Sequence, residues 1–219
     1  LIVIASTVNA LGDNSTVKVD LYFESLCPAC RDYSKNQVYD AMQQISDIMD
    51  FNIYPYGNAD ESINKDTGLY NYTCQHGPNE CAGNMYIACA VAHNQGLDPK
   101  SHIPLWFNFY HCLETVDDPS SLLNVKLCAA KGNIDVNSLI SCAGNDPTIG
   151  SADDGNKIMH AIAQFTAALT PPHEYVPWLL INGKHVDEDD FEQLSLIQLV
   201  CRAYTCPSPA VCQNILKIN

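Results

Sequence analysis

Val17-Lys18-Val19-Asp20-Leu21-Tyr22-Phe23-Glu24-Ser25-Leu26-Cys27-Pro28-Ala29-Cys30 is the stretch on which the fold turns. Val17, Val19, Leu21 and Phe23 alternate with Lys18, Asp20 and Tyr22, a period of two that predicts a strand. After a short turn comes the Cys27-Pro28-Ala29-Cys30 pair. Val38, Met42, Ile45 and Met49 then fall at helical spacing, which predicts one apolar face of a long helix. Phe51-Asn52-Ile53-Tyr54 alternates again. The first sixty or so residues therefore read strand–CxxC–helix–strand, a βαβ unit.

The other end of the chain carries the complementary half. Ile158, Ile162, Phe165 and Leu169 predict a helical face that Pro171-Pro172 stops. Val176-Pro177 opens the apolar strand Trp178-Leu179-Leu180-Ile181. Asn182-Gly183 is a strong two-residue hairpin signal, with Lys184-His185-Val186 as the returning strand. Asp187 to Asp190 place negative charge where the next helix starts, and Leu194, Ile197, Cys201 and Tyr204 give its inner face. The fold class expected is α/β: a thioredoxin-like βαβ plus αββα core, residues 17–59 and 156–212. A disulfide-rich helical insertion fills residues 60–155, with helices around Glu80–His93 (Met85, Cys89 and Ala92 on one side) and along Leu105, Phe109 and Leu113. Residues 1–16 form an apolar N-terminal segment, and 213–219 a C-terminal tail.

Eleven cysteines in 219 residues exceed what a chain with 47 % apolar residues needs for stability, and they suggest disulfides in an oxidising compartment. The sequons at Asn14 and Asn71 agree with a secretory route. Leu1 to Ala5 reads as the end of a signal segment and Val8-Asn9-Ala10 as a cleavage site. No stretch is long and apolar enough for a membrane span. The net charge of −14 argues against nucleic acid and anionic membrane as partners. A soluble lumenal protein is expected.

Thiol–disulfide exchange needs one thiolate that attacks and a second thiol that resolves the mixed disulfide. Cys27, just before a helix, is placed to have its pKa lowered, which makes it the nucleophile and Cys30 the resolver. Pro28 suits a first helical turn. A structural disulfide, or half a zinc site completed by Cys74, His76 and Cys81, is the alternative that the pair alone leaves open. Val176 and Pro177 are expected to face the pair, with Pro177 cis, offering backbone to an extended substrate. Glu24, three residues before Cys27, reads as a solvated loop residue rather than as part of the catalytic set.

A longer signature narrows this. Cys74-Gln75-His76-Gly77-Pro78-Asn79-Glu80-Cys81-Ala82-Gly83-Asn84 resembles the C-Q-H-G-x-x-E-C-x-x-N signature of the gamma-interferon-inducible lysosomal thiol reductases. Tyr54 to Ala59 and Pro171 to Lys184 also resemble that family. The resemblance implies reduction of disulfides in protein substrates in an acidic endosome or lysosome, or after secretion. A small-thiol reductant is expected, with no cofactor and no metal. It places Cys27 and Cys30 at the redox centre and Pro177 opposite. Cys74 and Cys81 are expected to be bonded to each other, with Gln75, His76 and Asn84 fixing local turns. Eight cysteines beyond the active pair suffice for four disulfides of unread connectivity, and Cys206 is extra. An assembling secreted subunit, joined through Cys206 or through residues 1–10 as an added edge strand, is the competing expectation.

Overall fold

The computed structural model describes residues 16–207 and 209–216. Its centre is β1 (Val17–Phe23), whose inward residues Val19, Leu21 and Phe23 are fully buried. β1 pairs in parallel with β2 (Met49–Pro55), Val17 opposite Met49 and Phe23 opposite Pro55. On its other side it pairs antiparallel with β5 (Trp178–Ile181), which hairpins through Asn182-Gly183 into β6 (Lys184–His185). The sheet order is β2-β1-β5-β6. A parallel pair needs a crossover, and the segment carrying the cysteine pair supplies it: α1 (Pro28–Tyr33), a π turn over Ser34–Val38, and α2 (Tyr39–Ile45).

The predicted long helix is thus three pieces. Met49 satisfies the helical spacing from Ile45 but lies in β2, because a 3-10 turn over Ser46–Ile48 ends the helix first. The π turn has a local cause. Ser34 Oγ donates back to the Cys30 carbonyl at 2.8 Å and meets the buried Tyr110 hydroxyl. Side-chain bonds to the carbonyl four residues back bend helices in this way.

The segment expected to be a helical insertion opens instead with an antiparallel hairpin, β3 (Asp60–Ile63) and β4 (Tyr70–Thr73). Helices α3 (Pro78–His93), α4 (Phe107–Thr115), α5 (Leu122–Gly132) and α6 (Val136–Ala143) follow. Within them Ala92 and Leu105 are exposed, and Leu105 precedes α4. Then comes α7 (Gly155–Ala167). Its buried side is Asn156, Met159, Ala163 and Thr166, while Phe165 is mostly exposed, so the predicted face is displaced. The last predicted helix is divided into α8 (Glu188–Gln193) and α9 (Leu196–Ala203), with Leu194 between them and Tyr204 just after. Ser195 starts α9 with a capping box to Gln198. α10 (Ala210–Leu216) closes the described chain.

One apolar core joins the two halves. Leu21 and Phe23 of β1, Met42 of α2, Met85 of α3, Leu113 of α4, Met159 of α7 and Leu196 of α9 share it. Disulfides Cys89–Cys142, Cys112–Cys128 and Cys201–Cys212 tie α3 to α6, α4 to α5 and α9 to α10, and Cys74–Cys81 fastens the start of α3. Cys206 is half-buried beside the Tyr204 hydroxyl. Among the described residues no helix is long and apolar enough to cross a membrane. The expectations for residues 1–10 and Asn14 lie outside the described residues. Asn71 is exposed on β4.

Candidate active site

β1 ends at Phe23, and Glu24-Ser25-Leu26 turns the chain so that Cys27 caps α1. The Cys30 N–H donates to Cys27 Sγ at 3.4 Å. Pro28 occupies the first helical turn, where no N–H is needed. Cys27 and Cys30 are thiols. Both are buried, Cys30 fully and Cys27 with 7 % exposure. Opposite, the Val176–Pro177 bond is cis, and the Val176 carbonyl lies 3.8 Å from Cys27 Sγ. Thr170–Pro171 is also cis. A groove of about 400 Å³ runs past Pro177 between Ala29, Tyr33, Phe191 and Leu194.

The two thiols differ in acidity. The hydrogen bond from the Cys30 thiol, aided by the Cys30 and Ala29 N–H groups and the nearby His76, outweighs burial and holds the Cys27 thiol down at about 6. Burial pushes the Cys30 thiol far up. The arrangement can therefore hold one thiolate next to one protonated, more deeply buried thiol.

Glu24 is not a solvated loop residue. It is fully buried, because α3 and the loop after β2 close over it. Its Oε1 accepts the Asn58 N–H at 2.6 Å, and its Oε2 lies 3.3 Å from His76 Nδ1. A side chain at Gly57 would have its Cβ 2.4 Å from Glu24 Cγ, so only glycine fits there. Burial, with the charges of Glu80 and Cys27, raises the Glu24 carboxyl to about 7 against the opposing effects of the Asn58 N–H and His76.

The signature residues explain the closure. Gly77, at φ 88°, caps α3. Glu80 is buried, and its Oε1 and Oε2 receive the His76 N–H at 3.0 Å and Nδ1 at 2.6 Å. The Glu80 carbonyl accepts from Ser25 Oγ at 3.1 Å, and Asn84 Oδ1 accepts the Ser25 N–H at 2.9 Å. Gln75 Oε1 accepts from the Asn58 amide at 2.8 Å. A Cβ on Gly83 would sit 2.5 Å from Ser25 Oγ. These side chains do not fix only their own turn, as expected from sequence. They clamp the turn that presents Cys27. With Cys74 bonded to Cys81, neither is available to a metal.

Two triads bring potential ligand atoms together among the described residues: Glu24, His76 and Glu80, and His93, Cys142 and Asp154. Cys142 is spent in a disulfide. In the first triad the 2.6 Å His76–Glu80 separation is a hydrogen bond. Tetrahedral zinc with bonds of 2.0–2.1 Å would need ligand atoms about 3.3 Å apart.

Glu114 escaped sequence reasoning. It ends α4, is fully buried, and neither carboxylate oxygen has a hydrogen-bond partner. Burial raises it well above the carboxylate range, against the attraction of Arg31 and Lys35. Arg31 of α1 donates through Nε to the Glu114 carbonyl at 2.9 Å and through its guanidinium to the Val116 carbonyl, which docks α4 on the redox helix. Its signal was a glutamate one helical turn after Tyr110, within an aromatic-rich stretch.

Residues 18–132 match the family model "Gamma interferon inducible lysosomal thiol reductase (GILT)". A Carassius auratus protein named gamma-interferon-inducible lysosomal thiol reductase is 41 % identical over 204 residues, covering 93 % of this chain and 74 % of its own. A Mus musculus protein of the same name is 34 % identical, covering 91 % and 73 %. Among solved structures, DsbA of Chlamydia trachomatis superposes with a TM-score of 0.55 at 12 % identity, covering 100 % of this chain and 98 % of that one. DsbA of Mycobacterium tuberculosis in its reduced form gives 0.54 at 11 % identity, covering 100 % and 95 %. At such identities these two establish the fold, which is thioredoxin-like.

Proposed function

Because the chain belongs to the gamma interferon inducible lysosomal thiol reductase family, it is a thiol–disulfide oxidoreductase that reduces protein disulfides, and we propose that Cys27 is its attacking thiol and Cys30 its resolving thiol. The Cys27 thiolate attacks one sulfur of a substrate disulfide. That bond breaks, the first substrate thiolate leaves and takes a proton, and a mixed disulfide remains on Cys27. Cys30 then loses its proton and attacks Cys27 Sγ. The bond between Cys27 and the substrate sulfur breaks, that sulfur leaves as a thiol with the proton given up by Cys30, and the two electrons gained by the substrate's two thiols are those lost in forming the Cys27–Cys30 disulfide. A low-molecular-weight thiol, oxidised to its own disulfide, restores the pair.

The observation that carries this assignment is the asymmetry of the pair: Cys27 Sγ caps the helix and accepts the Cys30 N–H at 3.4 Å, whereas Cys30 is wholly enclosed. Val176 and the groove beside Pro177 serve as the substrate-binding edge in this reading, supported by the 3.8 Å approach of the Val176 carbonyl to Cys27 Sγ. We place the work in an acidic lysosomal or endosomal lumen. The lowered Cys27 pKa supports that placement, as does the lysosomal wording of the relatives' names. Exposed Asn71 is the glycosylation site proposed. The purified protein is expected to reduce a disulfide-bonded test protein near pH 5 with a small thiol donor. Cys27→Ser is expected to abolish turnover, and undiminished turnover in that variant would reject the assignment.

A further inference from the structure

The Glu24–His76–Glu80 cluster has a role that the redox chemistry alone does not assign. Oε1 of each carboxylate is taken by a backbone N–H, Asn58 for Glu24 and His76 for Glu80. The two Oε2 atoms converge on His76 Nδ1, at 3.3 and 2.6 Å. Both carboxylates are fully buried, and among the described residues no lysine or arginine forms an ion pair with either. Buried carboxylates a few ångströms apart repel strongly unless a proton or cation lies between them. Nδ1–H, held by Glu80 Oε2, is the nearest donor to Glu24 Oε2, which has no hydrogen-bond partner of its own. The bond to Glu80 leaves Nε2 on a side chain that is 33 % exposed, open to exchange with solvent.

This cluster adjoins Cys27. Glu24 begins the turn whose carbonyl accepts the Cys27 N–H at 3.3 Å. We propose that His76 is a positioning residue for the redox pair: hydrogen-bonded to Glu80 of α3 and seated 3.3 Å from the buried, otherwise unpartnered Oε2 of Glu24 in the active-site turn, it sets, with the charge held by these three groups, how readily Cys27 ionises. The inference rests on Cys27 being the attacking thiol.

The groups that face the cluster all bear on its sign. Cys27 feels His76, which favours its thiolate, and Glu24 in turn feels the charges of Cys27 and Glu80. Glu114, from the far side, feels the charges of both Cys27 and Glu80, which raise it, and those of Arg31 and Lys35, which oppose them. With Glu24 raised to about 7, it is neutral in acid and adds no negative charge beside the sulfur. Above that pH Glu24 ionises and opposes the thiolate. The cluster thus favours the nucleophile in acid and restrains it as the pH rises.

The test is the pH profile of Cys27 alkylation in protein whose active-site pair has been reduced while the other four disulfides are intact. His76→Asn keeps a donor at the position of Nδ1–H but removes the titratable charge. It is expected to slow alkylation at pH 5 by about tenfold, one unit of pKa. Glu24→Gln is expected to flatten the profile near pH 7 and speed alkylation above it. A His76→Asn profile that superposes on the wild type, with an unchanged near-ultraviolet circular dichroism spectrum, would overturn the proposal. If that variant does not fold, the His76 ring resonances of the wild type serve instead. They must move when Cys27 is alkylated, and ring resonances that stay fixed would overturn it equally. Alkylation of Cys30 in place of Cys27 would reject the assignment of the attacking thiol, a failure distinct from that of the cluster.

Discussion

At Cys27 a few polar contacts decide how much thiolate is present in acid. A free cysteine thiol near 8.5 would be ionised at pH 5 in roughly three molecules per ten thousand, whereas one at about 6 is ionised in about a tenth. Glu24 works in the opposite sense on stability. Its folded-state pKa, about 7, lies above its unfolded value, so between those pH values the folded chain holds more protons than the unfolded one. Its contribution is fully present below the unfolded pKa near 4.5 and is lost as pH rises through about 7. The full shift corresponds to roughly 3 kcal/mol. Urea unfolding at pH 4.5 and pH 7.5 is expected to show wild-type stability falling across that window, with Glu24→Gln losing less of it. Equal losses in both proteins would refute the buried-acid account. Glu114, unpartnered on both oxygens, is expected to tolerate Glu114→Gln with little change in stability near pH 5, because the buried group is held neutral there; thermal unfolding checks this. The cis Val176–Pro177 bond set against Cys27 was legible in the sequence because spacing and neighbours marked it. Glu24 was misjudged because three residues before a CxxC look like loop. Its burial depends on residues distant in sequence, Gly57 and Asn58 after β2 and His76 before α3.

At the scale of elements, α3 is the part that reaches the chemistry. Its signature spacing places His76 before the helix, and Glu80 and Asn84 one turn apart on the side facing Glu24 and Ser25. Asn84→Ala removes the acceptor of the buried Ser25 N–H. The orphaned donor is expected to cost about 1–3 kcal/mol in denaturant unfolding. Activity is expected to fall as well, since the turn that presents Cys27 loosens; a variant equal to the wild type in both would show that the clamp is idle. β1, β5, the Asn182-Gly183 hairpin and α3 were readable from period and turn chemistry. Met49 was not, since an apolar residue four beyond Ile45 satisfies a helix as well as it satisfies the first position of a strand. The β3–β4 hairpin was missed because its strands are short and mostly exposed, with little alternation to detect. Phe165 misled because it lies beside Tyr54 on the outer side of α7, so a large apolar residue marked the wrong face.

For the molecule as a whole, the segment between the two thioredoxin-like halves is packed into the same core as the sheet. It shares that core through Met85 and Leu113, brings Tyr110 against Ser34 of the π turn after α1, and places His76 and Glu80 beside Glu24 and the turn before Cys27. The disulfides Cys89–Cys142 and Cys112–Cys128 brace that segment. Apart from the Cys74–Cys81 bond that the resemblance implied, sequence could count the cysteines but not pair them, because pairing is a property of the folded chain. The most direct test of the account is trapping of the mixed disulfide at pH 5, with a disulfide-bonded test protein offered to the Cys30→Ser and Cys27→Ser variants and the adducts mapped by peptide mass. The account predicts that Cys30→Ser accumulates substrate joined through Cys27 and that Cys27→Ser accumulates none. An adduct on Cys30 in Cys27→Ser, or no adduct on Cys27 in Cys30→Ser while the wild type turns over, would contradict it.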